Sequence, residues 1–173
     1  MKKELLIVDG YNMIGAWPEL VTLKNKDEME DARDLLLNEL SKYSKYEEIE
    51  VRVVFDAQFV PGIQKSYKKY HLDVIFTKED ETADSYIERV TGEENSLIVQ
   101  TTVATSDLAE QWIVFQRGAL RKSAIELYKD VERSKKAVDS EAKALHGKQY
   151  RRNSPWTHKQ IEELEKLREK LSH

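Results

Sequence analysis

The chain contains no cysteine, which excludes disulfides and thiolate metal sites and fits a reducing compartment. It has no apolar run approaching the roughly 18 or more residues a membrane helix needs, and its first residues carry no signal-peptide hydrophobic region. The expectation is a cytoplasmic protein that does not enter membranes. No repeat and no low-complexity segment interrupts the sequence. The four histidines are scattered, and none is assigned to a metal.

What is present is enough to build a core. A length of 173 residues suits one ordinary domain with at most an appendage, and a hydrophobic share of 40% argues against disorder. The net charge of −4 hides an asymmetry. Residues 1–116 hold 13 Lys and Arg against 23 Asp and Glu, whereas residues 117–153 hold 11 against 5. An acidic front with a basic stretch behind it suits a protein that holds cations in one place and phosphates in another. Charged helices that are merely solvated are the plainer alternative.

Four apolar runs read as strands: Leu5–Val8, Val51–Phe55, Leu72–Phe76 and Leu97–Ala104. The first is continuously apolar rather than alternating, the pattern of a strand buried on both faces. Between the first two, Met29, Ala32, Leu36, Leu40 and Tyr43 recur at helical spacing. After the third, Ala83, Ile87 and Val90 share a helical face. After the fourth, Asp107 and Glu110 have the spacing of a capping box, and Leu108, Trp112 and Phe115 are expected to face inward. The stretch 61–71 reads as a loop. A long helix is expected from Ser123, capped by the Ser123–Glu126 pair, with Ala124, Leu127, Val131, Val138, Ala142 and Leu145 as its stripe and an end near Gly147. "KQYRRNSP" then reads as a linker, and a last helix from Thr157 has Trp156 placed to staple onto Ile161. Strands alternating with helices predict an α/β fold whose parallel sheet is covered on both sides.

In such a sheet, ligands bind beyond the carboxyl ends of the strands, and every strand here hands a carboxylate to that rim. The first run ends at Asp9, with Asn12 one turn on. The second ends at Asp56, the third is followed by Asp84 in a first helical turn, and the fourth delivers Thr105, Ser106 and Asp107. Two unit charges 4 Å apart cost about 4 kcal/mol at an effective dielectric of 20. A domain only about 5–15 kcal/mol stable would not keep several such pairs without a cation or protonation. All-oxygen donors point to Mg²⁺ or Mn²⁺, and a metal near a basic surface points to activated water attacking a phosphodiester. Each acid alone has a plainer reading: a strand end for Asp9 and Asp56, a helix-dipole partner for Asp84 and Asp107. Tyr11 and Trp17 read as packing.

The segments "VDGYNMIGAWP", "VVFDA", "FTKEDETAD", "ATSDLAEQ" and "RGALRKSAIEL" resemble the NYN branch of the PIN-like nucleases, and more narrowly the bacterial YacP-like family, which includes a ribosome-dependent mRNA-decay endoribonuclease. The resemblance spans about residues 4–130. It implies a PIN-like three-layer α/β/α domain over residues 1–135, with a central, mainly parallel sheet. Residues 136–173 then form a basic C-terminal helical extension, packed on the domain or trailing from it. It further implies an endoribonuclease that holds Mg²⁺ or Mn²⁺ with Asp9, Asp84 and Asp107, with Asn12 positioning ligand or water and Asp56 on the family's second strand. Thr105 and Ser106 are supporting residues. The implied partners are mRNA and the translating ribosome, with no organic cofactor; a monomer is favoured.

Candidate RNA contacts are Lys65, Lys68, Lys69 and Tyr70, where lysines interleave with aromatics, and Arg117, Arg121 and Lys122 around Gly118. A solvated loop and plain surface charge are the respective alternatives. Two other functions compete. A phospho-receiver domain also places an Asp after a central strand, but it wants paired acids after the first and has no use for Asp84 or the Thr105–Asp107 turn. A non-catalytic RNA- or ribosome-binding module on the same fold would not need the carboxylates.

Overall fold

Nothing in Leu5–Val8 offers water a polar face, and the run forms the middle of a sheet. The computed structural model describes residues 3–57, 72–94, 96, 98–153 and 158–171. In it, β1 (Lys3–Asp9) lies between β2 (Glu50–Phe55) and β4 (Val99–Ala104), with β3 (Asp73–Phe76) beside β2 and β5 (Leu120–Lys122) beside β4. All four pairings are parallel, and in register Val8 sits between Val53 and Ala104. The chain steps outward from β1 through β2 to β3, then returns to the other side of β1 for β4 and β5. That reversal opens a crevice beyond the carboxyl ends of β1 and β4.

Alternation along β1 divides the interior in two. Leu6 and Val8 join Met13, Ile14, Leu36, Leu40 and Leu127 in one core, while Leu5 and Ile7 join Ile87, Val90, Val103 and Val114 in the other. The first face carries α1 (Gly10–Ile14), α2 (Pro18–Asn25), α3 (Met29–Glu47) and the start of α6 (Ala124–Asn153); the second carries α4 (Ala83–Glu94) and α5 (Leu108–Gln116). This is the expected α/β architecture of three layers. Each fully buried Leu, Ile or Val contributes about 1.5–3 kcal/mol. Trp17 is core, as expected, and its indole N–H donates to the Ala124 carbonyl at 2.9 Å, clamping α6 to the first layer. Tyr11 packs edge-on against Phe55, 5.1 Å between ring centres.

Several expectations are corrected. The turn α1 and the helix α2 fill the stretch after β1, where no helix was anticipated; α2 begins at Pro18, whose missing N–H costs a first helical turn nothing. The strand β5 went unread because its three residues, Leu-Arg-Lys, carry no apolar run. The largest correction concerns α5. Leu108, Trp112 and Phe115 are 77%, 59% and 57% exposed, while Glu110, Gln111 and Val114 are buried. The roll of α5 is set by polar anchors rather than by its apolar stripe: Thr105 Oγ1 donates to Glu110 Oε2 at 3.0 Å, and Gln111 Nε2 donates to the Thr105 carbonyl at 2.6 Å. Gly118, at φ 84°, ends α5 in the left-handed conformation that favours glycine and turns the chain into β5.

The expected stop of the long helix at Gly147 also gives way, because α6 runs to Asn153. A helical glycine costs about 1 kcal/mol relative to Ala and need not end the helix. The linker expected from Lys148 is therefore helical through Asn153, and a further helix, α7 (His158–Leu171), follows. Trp156, Thr157 and the staple onto Ile161 lie outside the described residues. The chain divides into two compact units, Met1–Ser134 and Lys135–His173. In the second, Val138, Leu145, Leu164, Leu167 and Leu171 are exposed. Among the described residues, no helix is long and apolar enough to cross a membrane.

Candidate active site

Asp9 ends β1 and occupies the N-cap position of α1. Phe55 can pack directly against this turn because the next residue is glycine: a Cβ at Gly10 would lie 2.3 Å from Phe55 Cε1, a clash with the ring. The turn of α1 brings Asn12 round, and its Oδ1 accepts the Ser106 N–H at 2.6 Å. Ser106 Oγ in turn accepts the Ala124 N–H at 3.2 Å. These two bonds tie the β4–α5 loop to α1 on one side and α6 on the other. Asn12 therefore positions the loop that carries Asp107.

Thr105 organises the other side. Its hydroxyl accepts the Asp107 N–H at 3.1 Å while donating to Glu110 Oε2. Asp107 Oδ1 caps α5, accepting from the Ala109 and Glu110 N–H groups at 3.0 and 3.3 Å. Only half of a capping box forms, because the Glu110 carboxylate bonds Thr105 and turns toward Asp9 and Asp84. Asp84 stands in the first turn of α4, where Thr82 Oγ1 accepts the Ser85 N–H at 3.1 Å. One carboxylate oxygen from each of Asp9, Asp84 and Glu110 lies within 4.8 Å of the others, with Asp9 and Glu110 buried and Asp84 exposed.

Such crowding has the electrostatic consequence Coulomb's law requires. Burial, then the Asp84 charge, pushes the Asp9 carboxyl up to about 7; Asp107 and Asp56 add to this and the Asn12 backbone N–H opposes it. Burial, then the Asp9 charge and the Asp84 carboxylate, pushes Glu110 up to about 9 against the Thr105 hydroxyl. Glu110 Oε1 is buried with no hydrogen-bond partner among the described residues. An all-oxygen donor set with one orphaned oxygen and two acids forced toward protonation fits a hard divalent cation.

Of the residues singled out in the sequence, Asp9 and Asp84 meet in this cluster. Asp56, buried at the end of β2, and Asp107 flank it closely enough to act on Asp9. Glu110 was missed as a site residue because its spacing from Asp107 reads as a cap. The signal that could have found it is a lone charge in an otherwise uncharged helix. Arg117 pairs with Glu88 at 3.0 Å, Lys122 pairs with Asp130, and Arg121 is exposed on β5. Lys65, Lys68, Lys69 and Tyr70 lie outside the described residues. A cleft of about 690 Å³ opens at the opposite, N-terminal edge of the sheet, between Lys3, Lys45, Glu48, Glu50 and Asp73. The converging carboxylates, not the volume of that cleft, identify the chemistry.

A parallel sheet that gathers acids from β1, α4 and α5 at the carboxyl edge of its central strands defines a nuclease-type domain with the PIN-like fold. The chain belongs to the YacP-like NYN domain family, whose model matches residues 6–169. The match therefore runs through both compact units, past the span of about residues 4–130 that carries the motifs. A protein of Bacillus subtilis (strain 168) named "Uncharacterized protein YacP" is 46% identical over 142 residues, covering 82% of this chain and 83% of its own. The crystal structure of Rae1 (YacP) from Bacillus subtilis is similar at TM-score 0.75 and 41% identity, over 95% of this chain and 94% of that one. A tryptophan-to-leucine variant of Rae1 gives TM-score 0.73 and 43% identity, over 83% and 84%.

Proposed function

We propose that this protein is a divalent-metal-dependent endoribonuclease that cuts mRNA in association with the translating ribosome, working as a monomer in the cytoplasm. The observation that carries the reading is the meeting of Asp9, Asp84 and Glu110 within 4.8 Å at the switch point of the sheet, in a chain of a nuclease-type family. Asp9, Asp84 and Glu110 are the residues that would hold Mg²⁺ or Mn²⁺, with Asp107 and Asp56 completing the negative rim. When bound, the cation supplies Lewis-acid polarisation of the scissile phosphate and a lowered pKa for attacking water.

The chain's own groups do the rest. Thr105 fixes the Glu110 carboxylate, and Asn12 and Ser106 hold the loop that presents Asp107. In the reaction, water oxygen bonds to phosphorus, one P–O ester bond breaks, and the leaving oxygen takes a proton. Lys65, Lys68 and Lys69, with Tyr70, and the cations Arg117, Arg121 and Lys122 are proposed to contact the RNA. Residues 136–173 are proposed as a separate basic extension. A small domain gains positioning energy if a larger partner holds its substrate in place, which supports the ribosome as that partner.

Mapping mRNA 5′ ends in a translating extract with Mg²⁺ tests this. Wild type is compared with Asp9→Asn, each with and without a translation inhibitor. New ends that require both Asp9 and translation are expected. Ends that require Asp9 alone would make the protein a free-standing ribonuclease, and no Asp9-dependent ends would leave a binding module.

A further inference from the structure

Helix α5 turns its one charged residue, Glu110, inward beside Val114, and turns Leu108, Trp112 and Phe115 outward. That is the reverse of an ordinary surface helix, which buries its apolar stripe. Leu108, Trp112 and Phe115 fall at i, i+4 and i+7 and form one exposed stripe. The Trp112 and Phe115 rings stack, 6.5 Å between centres and 28° between planes. The stripe is continuous with the candidate site, since Leu108 follows Asp107, the residue that caps α5 at the acidic rim. At its other end the chain runs on to Arg117, exposed but paired with Glu88, and to the exposed Arg121.

We propose that the outward face of α5 is a stacking surface for unpaired bases of the RNA strand, with Trp112 and Phe115 as its aromatic contacts. The proposal rests on the nuclease reading and deepens it. Around the catalytic rim, Asp9, Asp56, Asp84, Asp107 and Glu110 repel the phosphate backbone wherever a cation does not intervene. A strand lying close to the cut therefore gains from uncharged contacts, and base–aromatic stacking is the contact every base can make whatever the sequence. Exposed aromatics followed by arginines meet both parts of a single strand: rings face bases, and guanidinium groups face phosphates or stack in their turn. A duplex, whose bases are already stacked on each other, has nothing to offer this face. Leu108 extends the surface toward the rim.

The test uses the full-length chain with Asp9→Asn to prevent cleavage, and a labelled single-stranded RNA beside its blunt duplex. Trp112→Ala and Phe115→Ala are each expected to weaken single-strand binding about tenfold, while Trp112→Phe, which keeps a ring, loses no more than about threefold. Duplex binding should be weaker and insensitive to all three. With Asp9 restored, Trp112→Ala should raise KM for a single-stranded substrate and leave kcat near its parent value. Because these side chains are exposed, the variants should keep the parent's melting temperature. Unchanged single-strand affinity in both alanine variants overturns the proposal while Asp9-dependent cleavage leaves the nuclease reading standing. No single-strand binding by the parent chain also overturns it. So does loss of self-association or of protein capture with RNA affinity intact, which would make α5 a protein interface. Absence of any Asp9-dependent cleavage defeats the nuclease reading itself.

Discussion

Among the described residues, Asp9 and Glu110 are the two carboxylates that burial and neighbouring negative charge push well above their ordinary range. Asp9→Asn keeps the size of the side chain and removes one of the mutually repelling charges. The expected result is loss of cleavage together with a higher melting temperature in metal-free buffer at pH 8, read by a nuclease assay and a thermal scan on one preparation. Glu110→Gln should act in the same direction. Removing a group that merely orients a metal ligand costs about 10–100-fold, so loss of a direct ligand should lower cleavage by at least about 100-fold. Near-normal turnover in Glu110→Gln would remove it from the metal-holding set. At this scale Asp9 and Asp84 were legible because a carboxylate directly after a buried strand, or in the first turn after one, can only reach the carboxyl edge. Glu110 was not, because its position three residues after a cap has a purely local explanation that needs no tertiary partner.

Among the elements, the β1–α1 joint and the β4–α5 loop decide whether the acids meet. Gly10→Ala would drive a methyl into the Phe55 ring at 2.3 Å. It should destabilise the chain by about 1–3 kcal/mol or more through overpacking and move Asp9 off the rim, a change seen as a lower melting temperature with weakened metal response. Thr105→Val removes the hydroxyl that both accepts from Asp107 and donates to Glu110. About 1–3 kcal/mol of stability should go with it, since a buried acceptor and a donor lose their partners, and metal affinity should fall in an isothermal titration. The strands of the sheet were legible from their apolar runs, apart from the three-residue β5. The face of α5 was misread for an instructive reason. Periodicity identifies an apolar stripe but not its direction, and here short polar bonds at the helix start outweigh the stripe in setting the roll.

For the whole molecule, the carboxylate cluster couples stability to pH and to divalent cations. Burial and the Asp84 charge push the Asp9 carboxyl up to about 7 in the folded chain, against about 4 for an unperturbed aspartate. Between those values the folded state binds the extra proton, so its contribution to stability falls as pH rises through that window and is lost above it. Glu110 extends the same sign up to about 9. A variant lacking both groups isolates their contribution. Metal-free wild type should lose more stability between pH 5.5 and pH 8 than Asp9→Asn/Glu110→Gln does. Mn²⁺ or Mg²⁺ should restore the wild type at pH 8, with proton release, and leave the double variant unmoved. Thermal scans with and without chelator decide it, and an equal pH response in the two proteins would show that the acids are not packed together.

The sequence by itself determined the α/β alternation and the carboxyl-edge placement of four aspartates, because these depend on local periodicity and on which residue follows a strand; the family was legible separately, from ordered motifs that resemble it. Only the tertiary structure decided that Asp9 and Asp84 are joined by Glu110 rather than by Asp107, whose carboxylate caps α5. It also decided that α5 shows its aromatics to solvent. Both turn on distances between segments far apart in the chain, and on which of two competing partners, backbone N–H or neighbouring carboxylate, a side chain reaches once the sheet has closed.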